Sequence, residues 1–181
     1  MGSAGSWRKL QIVPLLAAAI TLAVSSRQFS QTRNATPTPV LKADRIEVEK
    51  SKRELTLFAA GRPIKTYKIA LGREPVGAKE REGDHKTPEG NYIIDAKIEH
   101  SRFHRALHIS YPNQTDRERA RRLGVNPGGG VEIHGLGDGY GWVGGLHRQM
   151  DWTDGCIAVT NEEIEEIWSM VAIGTPIEIR P

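Results

Sequence analysis

The sequence predicts a mainly β fold, a sandwich or barrel of short mixed strands with a few short helices. Three observations predict it. Short segments with apolar residues at every second position recur along the chain after residue 44. Turns rich in Gly and Pro separate these segments. A clear helical spacing of apolar residues occurs near the C-terminus, so one helix is predicted near residues 161–173.

The first three strands follow from alternation alone. Residues 60–63 read Ala-Gly-Arg-Pro and predict a turn between the second and third strands, which favours antiparallel pairing. A long polar loop, residues 72–90, leads into another predicted strand at 91–98. The alternating apolar positions are Ile46 and Val48, then Leu55 and Leu57, then Tyr67, Ile69 and Leu71.

Two helices are predicted. Residues 115–123 carry four arginines among acidic residues and end at Gly124, which is typical of a solvated helix; contact of an arginine with a substrate carboxylate is the alternative. The C-terminal helix begins with a capping box, Thr160 with Glu163, and its apolar spacing continues up to a glycine at position 174.

The stretch from Val131 to Val159 contains the candidate chemistry. Apolar residues alternate at both of its ends, so each end is predicted to be a half-buried strand. His134 lies on the first strand and Cys156 begins the second, and both are expected to point away from the core. If the strands are close, the thiol faces the imidazole across an open surface.

A thiol beside an imidazole is the arrangement that activates a cysteine nucleophile. The turn Thr153-Asp154-Gly155 would present Cys156, and backbone N–H groups around Gly155 and Cys156 would stabilise an oxyanion. The Gly135 carbonyl could orient the imidazole. Cys156 is the only cysteine, which excludes an internal disulfide framework. A buried cysteine that acts as a small hydrophobe is the alternative.

Other side chains are candidates for supporting roles. Trp142 lies on the glycine-rich loop after His134 and, together with Trp152, is predicted to contact substrate, although packing of the loop is an equal alternative. His108 is a candidate for the lining of the cleft. His147 is a second candidate base, weaker than His134 because it lies on the loop.

A metal site is not predicted. His100, His104 and His108 are spaced by four, which on a helix would align three imidazoles. The segment is predicted to be a strand, where the outer pair would be more than about 20 Å apart. The His-Glu-x-x-His pattern of zinc enzymes is absent from the sequence.

The N-terminal part predicts export. Residues 7–9 are basic or aromatic and residues 10–24 are almost entirely apolar, so residues 1–26 are predicted to be a signal peptide or an N-terminal membrane anchor. Residues 27–43 are polar and aperiodic, and predict a disordered linker. The catalytic domain is expected at residues 44–181.

Charge and composition limit the classes of partner. The formal net charge is +3 and the mean hydropathy is −0.45. Acidic residues are interspersed with basic ones and the sequence has no nucleic-acid-binding motif, so no nucleic-acid partner is predicted. A mildly basic exported protein suits an anionic cell wall. The oligomeric state stays open.

The chain resembles the YkuD-type L,D-transpeptidases at two motifs. These are His134-Gly135 followed by Thr153-Asp154-Gly155-Cys156, and the upstream segment Gly83–Gly90, which contains Thr-Pro-Glu-Gly. The resemblance implies a YkuD-like fold and a cysteine acyltransferase with no metal or cofactor. It also implies a donor that is a tetrapeptide stem of peptidoglycan, cut at the L-centre of its third residue, and an amine acceptor.

The sequence departs from the family pattern at three points. Eighteen residues separate His134 from Thr153, Asp154 replaces a common histidine, and Ala158 replaces a common arginine. Three alternatives therefore stay open beside transpeptidation. They are a hydrolase (carboxypeptidase or amidase type) that uses the same thioester, a non-catalytic wall-binding module, and a metal-dependent hydrolase using His134, His147 and Cys156.

Overall fold

The computed structural model describes residues 1–2 and 41–181. The chain divides into two units, Met1–Pro37 and Thr38–Pro181, and the fold described below is that of the second unit. The predicted export segment and nearly all of the predicted linker lie outside the described residues. Within the described part of the chain, no helix has the length and apolar character needed to cross a membrane.

The second unit is built on one sheet of eight strands with two α-helices, which confirms the predicted mainly β fold. The sheet has the strand order β3-β2-β1-β8-β4-β5-β6-β7, with both parallel and antiparallel neighbours. The elements are β1 (Arg45–Glu49), β2 (Glu54–Ala59), β3 (Arg62–Lys68), β4 (Gly90–Ser101), β5 (His104–Ile109), α1 (Gln114–Leu123), β6 (Glu132–His134), β7 (Ile157–Ala158), α2 (Asn161–Met170) and β8 (Pro176–Arg180).

The sheet curls until its two outer ends meet. The segment after β3 pairs with β7, because Ala70 and Ala158 exchange backbone hydrogen bonds of 2.9 and 2.8 Å. Two further bonds extend this pairing, from the Thr153 N–H to the Leu71 carbonyl and from the Arg73 N–H to the Thr153 carbonyl. The residues before and within β7 are therefore held from both sides.

The core fills the inside of the curled sheet. The register pairs Ile46 with Leu57 and Val48 with Leu55, and all four side chains are fully buried. Burying one such side chain stabilises the fold by about 1.5 to 3 kcal/mol. The alternation seen in the sequence is thus the inside-outside alternation of these strands.

Helix α2 begins as predicted and ends earlier. Both hydrogen bonds of the capping box between Thr160 and Glu163 are present, but the helix stops at Met170 rather than near residue 173. Val171 is extended, and the Lys97 ammonium donates to the carbonyl oxygens of Trp168 and Val171 at 2.6 and 3.0 Å. A lysine from β4 therefore satisfies carbonyls that another helical turn would have bonded.

The glycine-rich loop after β6 is more ordered than expected. It contains 3-10 helical turns over Gly141–Gln149, interrupted at Gly144, which has a φ of +50°. The sequence shows no apolar periodicity there, and short 3-10 turns need none.

A buried lysine directly after β1 ties the polar loop 72–90 to the sheet. Lys50 is 2% exposed, and its ammonium donates to the Gly77 carbonyl (2.7 Å), the Thr87 carbonyl (3.0 Å) and Glu89 Oε1 (2.7 Å). All three N–H groups are satisfied. Burial lowers the Lys50 pKa, and the hydrogen bond to Glu89 opposes that shift.

We expect Lys50→Met to destabilise the domain by about 3 kcal/mol, because it leaves buried acceptors and the Glu89 carboxylate without their cation. Urea unfolding measures the change. Lys52→Met is the matched control, since Lys52 is exposed and pairs only with Glu49, and it should leave the unfolding midpoint unchanged. Equal midpoints for the two variants would contradict the role given to Lys50.

Candidate active site

The register of β6 and β7 brings the two candidate catalytic residues to one face of the sheet. The strands are parallel, with Ile133 opposite Ile157 and His134 opposite Ala158. Cys156 lies two residues before Ala158, and side chains two apart share a face. The Cα atoms of His134 and Cys156 are therefore about 8 Å apart, from one strand spacing sideways and two residues along the strand. Ile133 and Ile157 point the other way, into the core.

Cys156 is half-buried and lines a cavity of about 310 Å³. Its thiol donates a long hydrogen bond, 3.6 Å, to the Gly130 carbonyl in the opposite wall. Burial raises the pKa of the Cys156 thiol to about 11. At neutral pH the thiol is therefore protonated, and it could act as a nucleophile only with a base to remove the proton.

His134, the predicted base, is not on the open surface that the sequence suggested. It is 2% exposed, and its ring packs against Phe103 and Trp152 at centroid distances of 4.4 and 5.9 Å. Burial lowers the pKa of His134, more than the hydrogen bond to the Gly135 carbonyl raises it. The imidazole is therefore neutral at physiological pH.

The tautomer of His134 follows from its partner. The Gly135 carbonyl oxygen lies 2.6 Å from Nδ1 and can only accept, so Nδ1 carries the proton. The lone pair is then on Nε2, as a general base requires. The Gly135 carbonyl therefore fixes the orientation of the ring, where a carboxylate would do so in other sites.

The turn before Cys156 is held by its own side chain. Thr153 Oγ1 donates to the Cys156 carbonyl at 2.8 Å and accepts from the Gly155 N–H at 3.1 Å. Gly155 has a φ of +128°, and an added Cβ would lie 2.6 Å from the Lys86 carbonyl oxygen. The Gly155 N–H is therefore bonded within the turn. This leaves the Cys156 N–H as the candidate donor to the predicted oxyanion.

Asp154 stands at the exposed rim of the cavity, where many family members have histidine. It contacts the Arg73 guanidinium and lies 2.9 Å from His85 Nδ1. Partial burial opposes ionisation of Asp154, but the hydrogen bonds from Arg73 and His85 outweigh it and lower the Asp154 pKa. Asp154 therefore links the turn before Cys156 to Arg73 and His85 in the loop 72–90.

The upstream motif forms the wall facing the cysteine turn. Thr87 is fully buried, and its Oγ1 accepts from the Gly72 N–H at 3.0 Å. The His85 carbonyl accepts from the Glu74 N–H, and an added Cβ at Gly72 would lie 2.2 Å from that carbonyl oxygen. Thr87 and His85 thus tie the upstream motif to the segment that follows β3.

The three substrate-binding candidates lie in different places. Trp152 lines a second, apolar cavity of about 460 Å³, together with Phe103 and His147. Trp142 is 81% exposed and lies outside the linings of both cavities. His108 also lies outside them, and its Nδ1 is 2.6 Å from Asp95 Oδ1.

The histidines spaced by four do not come together. His104 pairs with Glu165 and His108 with Asp95, so each has a separate carboxylate partner. In the part of the chain that is described, no three His, Cys, Asp or Glu side chains are placed to hold a metal ion.

Sequence reasoning missed a lysine in the nucleophile cavity. Lys79 is 5% exposed, lines the same cavity as Cys156, and lies 2.8 Å from Asp84 Oδ1. It falls in a polar loop with no periodicity, and only its position five residues before an aspartate and beside the Gly83–Gly90 motif could have drawn attention to it.

His147 is buried beside the apolar cavity. It is 7% exposed, its Nδ1 accepts from the Trp152 indole N–H at 3.4 Å, and its Nε2 has no partner among the described residues. Burial, with the Arg148 charge, lowers the His147 pKa to about 4.

This shift predicts a loss of stability in acid. The folded-state pKa of His147 is below its ordinary 6.5, so the unfolded chain takes up the proton first as the pH falls. The stabilising contribution is complete above about pH 6.5 and declines towards pH 4. We expect His147→Gln to flatten the dependence of the free energy of unfolding on pH over this window. His100→Gln, at an exposed site, is the control; an unchanged slope for His147→Gln would contradict the assignment.

Comparison with known proteins supports the family resemblance. Residues 43–179 match the YkuD family, described as the L,D-transpeptidase catalytic domain. The Escherichia coli (strain K12) protein YafK is 30% identical over 132 residues, which cover 70% of this chain and 46% of YafK. The chain therefore spans about half the length of the curated relatives that it matches.

Solved structures agree with this assignment. The helical cell shape determining protein Pgp2 from Campylobacter jejuni superposes with a TM-score of 0.59 at 27% identity, over 76% of this chain and 47% of Pgp2. Bd1075 from Bdellovibrio bacteriovorus gives a TM-score of 0.54 at 26% identity, over 80% of this chain and 50% of Bd1075. The resemblance predicted from the two motifs is confirmed, and the chain belongs to the YkuD family of L,D-transpeptidase catalytic domains.

Proposed function

We propose that this protein is an exported cysteine acyltransferase that cross-links or remodels peptidoglycan stem peptides through a thioester on Cys156. The observation that carries the proposal is the pairing of β6 with β7, which sets His134 and Cys156 on one face while Cys156 lines a cavity. Membership of the L,D-transpeptidase family supports the class of substrate.

Acylation begins from two neutral groups. As Sγ attacks the carbonyl carbon of the donor peptide, its proton passes to His134 Nε2, and the carbonyl oxygen takes up negative charge. The Cys156 N–H donates to this oxyanion. When the tetrahedral intermediate collapses, the C–N bond breaks and the imidazolium returns its proton to the leaving amine, which leaves a thioester and a neutral imidazole.

Deacylation repeats these steps with a new nucleophile. His134 takes a proton from an acceptor amine as its nitrogen attacks the thioester carbon, and the C–S bond breaks. The thiolate recovers the proton from the imidazolium. The product is a new amide, and the enzyme returns to its thiol form without a metal or cofactor.

Hydrolysis of the same thioester is the second candidate function. The charged lining of the cavity beside Cys156 supports it. Charged side chains such as Lys79, Glu82 and Asp154 line the cavity, so water can reach an acyl group on Cys156. Water in place of the amine gives a free carboxylate, the result expected of a carboxypeptidase- or amidase-type enzyme.

Export is part of the proposal and rests on the sequence. A basic region at residues 7–9 precedes the apolar segment 10–24, and stem peptides lie outside the cytoplasm. We propose a location in the periplasm or cell envelope, with cleavage of the segment or its retention as an anchor as the two outcomes.

Incubation of the purified protein with tetrapeptide muropeptides tests the proposal by mass spectrometry. A dimer linked between third residues indicates transfer, and a free tripeptide indicates hydrolysis. We expect Cys156→Ala to abolish both products. If Cys156→Ala still retains murein sacculi while the wild type shows no turnover, the protein is a wall-binding module and the enzyme proposal is wrong.

His134→Gln separates the base from the nucleophile. We expect turnover to fall by about 10² to 10⁴, the usual contribution of a general base. Iodoacetamide should still alkylate Cys156 in this variant at alkaline pH, because thiolate then forms without a base. His100→Gln, the same change at an exposed site outside both cavities, is the control. Turnover that survives His134→Gln would assign the base to another residue.

A further inference from the structure

A buried ammonium group faces the nucleophile cavity with one N–H group to spare. Lys79 Nζ lies 2.8 Å from Asp84 Oδ1 and 3.1 Å from the Arg81 carbonyl oxygen. An ammonium group has three donors, and these two acceptors use two of them. Lys79 lines the cavity beside Cys156, so the third N–H has room to meet a ligand there.

The position of Lys79 brings its charge close to the reacting atoms. Its Nζ lies 3.9 Å from the place that an added Cβ would take at Gly155, the residue before the nucleophile. Because Gly155 has no side chain, the Lys79 ammonium can lie close to the backbone of the turn that precedes Cys156.

Asp84 is bound too fully to be a free anion in the cavity. Its Oδ2 accepts from the Glu80 and Arg81 N–H groups, and its Oδ1 accepts from the Lys86 N–H as well as from Lys79. These donors, against the effect of burial, lower the Asp84 pKa to about 2. The carboxylate fixes the ammonium in place, and its charge is shared among four donors.

The usual cation of the family is absent from this face. Ala158 occupies the position of the common arginine; it is fully buried and is paired on both sides by Ala70 and His134. Other charged groups lining the cavity are acidic or already paired: Glu82 accepts from Asn126, and His85 contacts Asp154. Among the described residues that line this cavity, Lys79 is the one lysine or arginine, and despite its pair with Asp84 it is the cation placed to meet an anionic ligand next to Cys156.

We propose that Lys79 is a specificity-determining residue that binds a carboxylate of the acyl donor beside the scissile bond. This proposal rests on the proposed function. It identifies a carboxylate as the feature of the donor that the site recognises. A carboxylate accepts the third ammonium N–H in a charge-assisted hydrogen bond, which a neutral amide accepts more weakly. Donors with a free carboxylate at this point are therefore preferred over amidated donors.

The lone thiol gives a test that needs no peptidoglycan. Iodoacetate and iodoacetamide alkylate the same Cys156 sulfur. Iodoacetate carries a carboxylate where iodoacetamide carries an uncharged amide. The ratio of their rate constants, divided by the same ratio for the uncharged thiol N-acetylcysteine amide, cancels both reagent reactivity and the thiolate fraction. We expect this normalised ratio to exceed one for the wild type, although Glu82 and Asp154 alone would push it below one. A value of one or below overturns the proposal.

The variant is Lys79→Met combined with Asp84→Asn, because Lys79→Met alone would leave a buried carboxylate without its cation. We expect the normalised ratio to fall about tenfold, as for loss of one charge-assisted hydrogen bond. Lys68→Met with Glu54→Gln is the matched control, since that pair is also separated by 2.8 Å and lies outside the cavity. Equal ratios in the two double variants overturn the proposal. If the Lys79 variant does not fold, the wild-type ratio decides.

The two proposals fail in different ways. Absence of muropeptide turnover with a normalised ratio above one would remove the peptidoglycan substrate and keep the anion site. Turnover with a ratio of one or below would keep the enzyme and remove the role of Lys79. With active protein, kcat/KM for free-acid over amidated donor peptides should fall about tenfold in the Lys79 double variant and stay constant in the control.

Discussion

The position of the nucleophile depends on backbone pairing that closes the curled sheet. Strand β7 contains only two residues, Ile157 and Ala158, and such a short strand has little stability of its own. It is fixed because β6 pairs with it on one side and the segment around Ala70 pairs with it on the other. Cys156 immediately precedes this strand, which is paired on both sides. The catalytic geometry is therefore a consequence of sheet closure, and the neighbouring loops refine it through Thr153 and the close contact at Gly155.

Burial acts on the thiol and the imidazole in the same sense, because it disfavours the charged form of each. It raises the pKa of Cys156 to about 11 and lowers the pKa of His134. The free enzyme thus holds a neutral pair rather than a thiolate-imidazolium pair, and charge separates only when a substrate carbonyl is present to receive the sulfur. A protonated thiol is also slow to oxidise, which protects a lone cysteine. The low basicity of His134 favours return of the proton to the leaving amine.

Much of this arrangement could be predicted from local patterns, and the rest required contacts between distant segments. Alternating residues such as Ile46 and Val48 identify strands because burial of one face leaves a period of two in the sequence. His134 and Cys156 could be selected by their residue type and strand position. The burial of His134 could not, because Phe103 and Trp152 cover it from other segments. Buried lysines are harder still, since Lys50 and Lys79 stand in polar surroundings in the sequence and their acceptors are mostly backbone carbonyls. Lys97 is half-buried, and its contacts with the last carbonyls of α2 also join segments that are distant in the sequence. The early end of α2 belongs to this class.

Two of these lysines connect the scaffold to the chemistry of the cavity. Lys50 fixes the ends of the loop through Gly77 and Thr87, and Lys79 lies between those anchor points. Ala158 is fully buried and carries no charge, so a cation beside Cys156 has to come from another element. A loop is a suitable source, because its residues can change without disturbing strand pairing. It can place a charge accurately only if its ends are rigid, and the three hydrogen bonds of Lys50 provide that rigidity. Under the proposal for Lys79, substrate preference depends on this loop, whereas the closed sheet positions His134 and Cys156.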